Sequence, residues 1–219
     1  MPPHSNAILT PKISPVKPVS CALGTPAPAI RRGRTPLDSL PSVSALGPIG
    51  GPGLRVLFVG INPSLRSAEV GHHFARPGNR FWPTLHAAGF TPRVLAPHED
   101  ETLPSFGIGV TNIVWRPTRA AAELTAGELR AGAVALEATV RAWTPRLVAI
   151  VGLVAYRTAF RQPHASMGPQ DDHVGDRPVW VLPNPSGLNA HYKPADFARL
   201  YAEAGRYAAG LEARSPEDA

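Results

Sequence analysis

The chain has 219 residues and a formal net charge of +6, with 22 Lys and Arg residues against 16 Asp and Glu residues. This length is sufficient for one α/β domain with a substantial hydrophobic core and some additional tail. The single cysteine, Cys21, excludes an intramolecular disulfide and a multi-cysteine metal or iron–sulfur site within the chain. No apolar stretch reaches the ~18 residues of a membrane span, and the amino end lacks a secretory signal pattern, so we expect a cytoplasmic protein with no membrane partner.

Residues 1–53 differ in composition from the rest of the chain. They hold 11 of the 26 prolines, and five Lys or Arg residues against one acidic residue, Asp38. A proline-rich segment with few apolar residues cannot bury enough surface to offset the entropy lost on ordering, so a disordered basic tail is predicted. Its charge fits either a polyanionic partner or a solvated tail that improves solubility. A loose tail is also predicted at 211–219, which leaves 54–210 as the folded domain.

The folded part alternates apolar strands with helices. Its first strand is the apolar run 56–59, after which Gly60 is expected to let the backbone turn sharply. Strands that alternate with helices indicate an α/β fold with three αβα layers and a mainly parallel central sheet. The next predicted elements are a polar flexible segment at 65–79, a helix at 80–88, a loop at 91–106 and a strand at 108–114. A long helix follows, which Thr125 begins through a capping box with Glu128. The remaining predicted elements are a strand at 147–151, a helix to about residue 160, a loop rich in Gly, Pro and Asp, a strand at 179–182 and a helix at 194–210.

Two asparagine-containing loops follow apolar strands. Asn62 lies in Gly-Ile-Asn-Pro at 60–63, and Asn184 lies in Asn-Pro-Ser-Gly-Leu at 184–188. Each asparagine alone is typical of a turn residue whose side chain bonds its own backbone. Because ligands bind at the carboxyl edge of the strands in open α/β sheets, the pair predicts one cleft that both loops face.

Four motifs follow one another in an order that is specific, although each motif alone is weak. They are Gly-Ile-Asn-Pro at 60–63, Phe-Ala-Arg-Pro-Gly-Asn-Arg-Phe-Trp at 74–82, Gly-Val-Thr-Asn with Arg-Pro-Thr at 109–118, and Leu-Pro-Asn-Pro-Ser-Gly-Leu at 182–188. With these motifs, residues 54–208 resemble the mismatch-specific uracil/thymine-DNA glycosylases, a branch of the uracil-DNA glycosylase superfamily. The resemblance implies the fold of that superfamily and an enzyme that flips a mispaired or damaged pyrimidine from duplex DNA and hydrolyses its N-glycosidic bond. Uracil, thymine and ethenocytosine opposite guanine are the candidate bases.

The resemblance also implies roles for single residues. Asn62 would position the attacking water, and since an amide cannot take up a proton as a carboxylate does, it would orient the water rather than act as a strong base. Phe74 would stack on the flipped base, and Leu188 would fill the space that the base leaves. The further implied contacts are Gly60, Ile61, Pro63, Asn112 and Asn184 with the pyrimidine, and Ser186, Gly187, Asn189 and Lys193 with the DNA.

The chain departs from the family pattern at two places. Ser64 replaces a common glycine, where it could narrow the pocket or add a hydrogen bond, and Asn189-Ala190 replaces Ser-Arg. The lost arginine leaves the contacts with guanine open, for which His191 and Lys193 are candidates. No lysine in the four motifs could form a Schiff base, so we expect a monofunctional enzyme. We also expect a monomer without metal or organic cofactor, and double-stranded DNA with G:U or related mismatches as its partner.

Other interpretations remain open. Phe74 could be a small hydrophobic plug, and Leu188 could fold back onto the core. A non-catalytic module that binds mismatches or abasic sites would not need a water-positioning amide, and a small-molecule phosphate-binding protein is disfavoured because the first turn lacks both glycine-rich phosphate motifs. The acidic triplet 99–101 is predicted as a solvated loop at the sheet edge opposite Asn62, and the histidine pair 72–73 as phosphate contacts or surface rather than metal ligands.

Overall fold

The computed structural model of the protein describes residues 46–211. The tail predictions for residues 1–45 and 212–219 lie outside the described residues. Residues 46–53 are described, and Ile49 pairs antiparallel with Val110 through two backbone hydrogen bonds of 2.8 Å. The ordered structure therefore begins before residue 54. Within residues 46–211, no helix has the length and apolar character needed to cross a bilayer.

One five-stranded sheet forms the centre of the described part, in the order β2-β1-β3-β5-β4. The strands are β1 Val56–Gly60, β2 Ile108–Asn112, β3 Leu147–Val151, β4 Gly168–Val174 and β5 Arg177–Leu182. All neighbouring pairs are parallel except β4 with β5. The predicted mainly parallel sheet is thus confirmed, but the segment predicted as a loop before β5 contains β4. Most side chains of this edge strand are not buried, so it carries no apolar pattern that could reveal it.

Helices cover both faces of the sheet, which confirms the predicted three layers. Along β1, alternate side chains point to opposite faces: Val56 and Phe58 pack into one core cluster, and Leu57 and Val59 into the other. The first cluster includes buried residues of α2 and α5, and the second includes those of α3 and α4. The helices are α1 Leu65–Val70, α2 Phe81–Ala87, α3 Ala126–Trp143, α4 Leu153–Ala159 and α5 Pro194–Gly210.

Local hydrogen bonds determine several boundaries that apolar periodicity misses. The segment predicted as flexible from residue 65 begins with α1, which Ser64 caps by accepting a 3.0 Å bond from the Ser67 amide. A 3₁₀ helix occupies 97–106, where a loop is predicted. The capping box of Thr125 and Glu128 at the start of α3 is confirmed.

Candidate functional site

A cleft opens where β1, β2, β3 and β5 end. It holds a cavity of about 160 Å³, close to the roughly 150 Å³ that accommodates one benzene ring in an engineered protein. Nine of the predicted site residues line the cleft: Gly60, Ile61, Asn62, Pro63, Phe74, Asn112, Asn184, Ser186 and Leu188. Three others, Gly187, Asn189 and Lys193, are not part of its lining. The two asparagine loops therefore share one cleft with room for a single six-membered ring.

The amide of Asn62 is anchored in one orientation. Its Nδ2 donates to the carbonyl oxygen of Arg116 at 2.8 Å and to Thr118 Oγ1 at 2.7 Å. Thr118 Oγ1 in turn donates to the Ala120 carbonyl at 2.8 Å, so the hydroxyl must accept from Asn62. Both Nδ2 hydrogens are thereby used, and Oδ1 of Asn62 has no hydrogen-bond partner among residues 46–211. The side chain bonds a distant segment rather than its own turn, which leaves an acceptor free at the cleft.

The segment that anchors Asn62 is itself held by α3. The Arg116 guanidinium donates to Glu128 Oε1 at 2.6 Å and to the Glu123 carbonyl at 3.1 Å. This hydrogen bond from Arg116 is the main reason that the pKa of Glu128 falls to about 2. The Glu128 carboxylate therefore stays ionised at neutral pH, and the bonds from the guanidinium to Glu128 and Glu123 connect Arg116, whose carbonyl accepts from Asn62, to the start of α3 and the turn before it.

Gly60 has a different role from the one predicted. It is the last residue of β1, paired in register with Asn112, and it has no left-handed φ, so it does not make the expected sharp turn. A Cβ at this position would lie 2.5 Å from Asn112 Oδ1 and 3.5 Å from Phe74 Cζ. Glycine is needed there because the Asn112 side chain leaves no room for a Cβ, whereas the distance to Phe74 is that of an ordinary contact. Asn112 is buried, and its Nδ2 has no partner among the described residues.

Phe74 stands on an aromatic stack that reaches the core. Its ring lies 3.9 Å from that of Phe81 at an interplanar angle of 20°. Phe81 is fully buried and meets Phe58 of β1 edge-to-face at 5.6 Å. Phe74 adopts a left-handed φ of 51° and lines the cleft. The ring is thus both packed against the core, as a hydrophobic plug would be, and presented to the cavity.

The loop of residues 184–192 forms the opposite wall of the cleft. Asn184 Oδ1 accepts from the Ser186 amide at 3.0 Å, the local turn contact expected of an isolated asparagine. The side chain of Asn189 also stays inside the loop, donating to the Asn184 carbonyl at 3.0 Å. Leu188 is 70% exposed, so it is not folded back onto the core. Hydrogen bonds within the loop stabilise its conformation, and the apolar side chain of Leu188 is exposed to solvent.

The resemblance implies that Gly187 contacts the DNA. In the structure, close packing against another segment of the protein explains why this residue is a glycine. A Cβ on Gly187 would lie 2.7 Å from the carbonyl oxygen of Gly78. The close approach that glycine permits here is therefore to another segment of the protein. Lys193 lies farther along, at the N-cap of α5, where its backbone amide donates to Asp196 Oδ2 at 2.9 Å.

Sequence reasoning missed several residues at the cleft. Two exposed arginines, Arg76 and Arg119, line it and have no ion-pair partner within residues 46–211. Arg76 lies within the second motif and Arg119 directly follows the third, yet no spacing rule distinguishes a rim arginine from a surface one. The Ser64 hydroxyl, by contrast, already makes two hydrogen bonds within the protein: it caps α1 and donates to Ser67 Oγ at 3.0 Å.

Asp100, the middle residue of the acidic triplet, is buried against the histidine pair, which corrects the predictions for Asp100 and for His73. Asp100 is 1% exposed; its carboxylate accepts from the His73 amide at 2.8 Å and lies 3.0 Å from His72 Nδ1. His73 is 2% exposed, lines the cleft and donates from Nε2 to the Gly47 carbonyl at 2.9 Å. Asp100 is therefore not part of a solvated loop, and His73 is not at the surface. A 3₁₀ helix and a tertiary contact produce this burial, and neither leaves an apolar pattern.

His73 provides a test through the pH dependence of stability. Burial is the largest effect on its pKa, which it lowers below the usual 6.5, so the unfolded chain binds the proton more readily than the folded one. The free energy of unfolding should therefore be highest above pH 6.5 and fall as the pH drops towards the lower folded-state pKa. Urea unfolding at pH 7.5, 6.0 and 5.0 measures this. The loss should be smaller in His73→Gln, which cannot titrate, and parallel curves for the two proteins would contradict the expectation.

Comparison with known families adds one finding. A family model described as the uracil DNA glycosylase superfamily matches residues 48–205. The match spans most of the described part, from the pairing of Ile49 beside β2 into α5. The matched range therefore contains every residue of the cleft lining except Leu46.

Proposed function

Because the chain belongs to the uracil-DNA glycosylase superfamily, whose members act on DNA, we propose that it is a mismatch-specific glycosylase. In this proposal it flips a pyrimidine, uracil above all, from its position opposite guanine and hydrolyses the N-glycosidic bond to leave an abasic site. The observation that carries the proposal is the free acceptor of Asn62 beside a cavity the size of one pyrimidine ring. A single chain contains every part of this machinery, which fits a monomeric enzyme.

The Asn62 amide is suited to orienting water. A water that donates one hydrogen to Oδ1 directs its oxygen lone pair towards C1′ of the flipped nucleotide. The water oxygen bonds to C1′, the C1′–N1 bond breaks with its electron pair leaving on the base, and the water proton passes to solvent. The sugar passes through an oxocarbenium-like state, as in glycoside hydrolysis. Since the amide cannot take up that proton, the rate depends on how readily the base leaves, and uracil should leave faster than thymine.

Asn112 offers a donor for the base. Its Nδ2 is buried at the cleft and has no hydrogen-bond partner within the described part of the chain, which is costly unless a ligand supplies an acceptor. A carbonyl oxygen of a pyrimidine would fill this role, and the bond would strengthen as negative charge grows on the departing ring. An unpaired amide donor at the end of β2 thus favours a base with a carbonyl group at that position.

Two hydrophobic side chains suit a flipped nucleotide. Phe74, supported from behind by Phe81, offers a stacking surface worth about 1–3 kcal/mol per base. Leu188, exposed at the mouth of the cleft, has the apolar form of residues that enter a base stack. Arg76 and Arg119, which line the cleft and have no ion-pair partner among residues 46–211, would contact phosphates of the DNA.

Leu188→Ala separates the DNA role from a structural one. Since the side chain is 70% exposed, its removal should change the free energy of unfolding by no more than about 0.5 kcal/mol. Excision from duplex DNA should fall by about 10- to 100-fold, the loss expected for one leucine that is no longer buried in the stack. Single-turnover rates on duplex and single-stranded uracil, with thermal melts, measure both effects. A large fall in melting temperature with unchanged excision would assign Leu188 to the core.

A panel of duplexes tests the proposed function directly. Each carries one base, uracil, thymine or ethenocytosine, opposite guanine or adenine, and alkali cleavage after incubation detects the abasic product. We expect release of uracil opposite guanine to be the fastest. Tight binding to mismatched duplexes with no base release by the wild-type protein would instead indicate a non-catalytic binding module.

A further inference from the structure

Arg80 joins the 184–192 loop to the start of α2. Its guanidinium donates to three carbonyl oxygens of that loop, those of Tyr192 at 2.9 Å, Ser186 at 2.7 Å and Asn189 at 2.6 Å. Its backbone amide donates to a fourth, that of Pro185, at 2.9 Å. Four contacts from one residue thus span most of the loop.

The guanidinium is fixed from the other side as well. It lies 4.4 Å from the centre of the Phe197 ring, and that ring is fully buried in α5. Arg80 forms no ion pair with a carboxylate within residues 46–211. The loop carbonyls and the aromatic face are therefore what compensates its partly buried charge.

The chemistry of arginine matches this arrangement. A planar fork can reach three carbonyls that face it from different points of a loop, whereas the ammonium of lysine is a compact point charge on a flexible stem. Next to these contacts, Gly187 packs against the Gly78 carbonyl with no room for a Cβ. The loop therefore rests on residues 78–80 through both shape and hydrogen bonds.

We infer that Arg80 is the positioning residue of the 184–192 loop, holding it before DNA arrives in the form that presents Leu188. The inference rests on the proposed function, and it adds a residue that is not itself part of the cleft lining. A loop that is already ordered does not lose that conformational entropy on binding, so more of the contact energy serves to hold the base out of the stack. It also explains how Asn189 replaces the serine common in the family without loss of this contact, because Asn189 contributes its backbone carbonyl to Arg80.

A double-mutant cycle tests the inference. Single-turnover excision of uracil opposite guanine is measured for wild type, Arg80→Lys, Leu188→Ala and the double variant. Arg80→Lys alone should lower the rate about tenfold or more, yet should cause little further loss when Leu188 is already alanine, because it acts through that side chain. Arg141→Lys, on the exposed face of α3, is the matched control and should match wild type. Losses that multiply in the double variant would overturn the inference.

Hydrogen exchange separates this inference from the proposed function. In Arg80→Lys, the backbone amides of 184–192 should exchange at least several-fold faster than in wild type, while those of β1 keep their protection. This readout requires no catalysis, so it holds even if wild type releases no base, a result that would overturn the proposed function alone. Unchanged exchange in the loop, or faster exchange throughout the sheet, would overturn the positioning role.

Discussion

Asn62→Ala is expected to lower the single-turnover rate of uracil excision by about 10²- to 10⁴-fold, the range that a positioned proton-transfer or water-orienting group contributes. The variant loses the only acceptor that the anchored amide presents to the cleft. The fold should persist, because Asn62 is partly exposed and its two hydrogen bonds are each worth about 0.5–1.5 kcal/mol. Rates on a U:G duplex at saturating enzyme, with thermal melts of both proteins, make the measurement.

Thr118 supplies the matched pair of controls. Thr118→Ser keeps the hydroxyl that accepts from Asn62 and should retain most of the activity, whereas Thr118→Val has nearly the same shape without that acceptor and should lose part of it. Binding to a duplex with an uncleavable uracil analogue should change little in Asn62→Ala. If Asn62→Ala excises uracil at the wild-type rate, the catalytic assignment is wrong.

Gly60→Ala is expected to reduce excision by about 10²-fold or more, the loss typical of removing one preorganised donor. The added Cβ would lie 2.5 Å from Asn112 Oδ1, so the Asn112 amide must leave its place in the pocket. Overpacking of this kind should also cost about 1–3 kcal/mol of stability, because both residues are in register in the paired strands β1 and β2 and Asn112 is buried. Urea unfolding and single-turnover excision measure the two effects separately.

Two further variants isolate the cause in Gly60→Ala. Gly51→Ala introduces the same methyl group where no atom lies within 4 Å, and it should leave activity unchanged. Adding Asn112→Ala to Gly60→Ala removes the clashing amide, so stability should recover in part while activity stays low. A Gly60→Ala protein as active as Gly51→Ala would show that the Asn112 amide has no part in the reaction.

The strands and the cleft were accessible to sequence reasoning because they depend on short-range patterns. Apolar runs such as 56–59 and 147–151 mark strands that are buried on both faces, and Thr125 with Glu128 marks the start of α3. The rule that parallel strands present their carboxyl ends at one edge was enough to bring Asn62 and Asn184 to the same cleft.

The roles of individual glycines and charged residues depended on contacts across the chain. The position of Gly60 after an apolar run suggested a turn, but glycine is needed there because the Asn112 side chain on the neighbouring strand leaves no room for a Cβ. The acidic neighbours of Asp100 suggested a solvated loop, but Asp100 is buried against His72 and His73. The partners in these contacts are separated by 27 to 52 residues, so no local window contains both.

The sequence by itself determined the order of β1, β2, β3 and β5 and of the four helices α2 to α5, the layers they form and the cleft at the end of the sheet, because hydrophobic periodicity and capping are local properties. Only the tertiary structure decided which atom of Asn62 faces the cavity, that Arg80 holds the loop opposite it, and that β4 completes the sheet. The contacts of Asn62 and Arg80 are hydrogen bonds between distant segments, whereas β4 pairs with the adjacent β5 but has mostly unburied side chains that leave no apolar pattern. The partners of Asn62 and Arg80 are fixed by how the chain packs, not by any residue's neighbours along it.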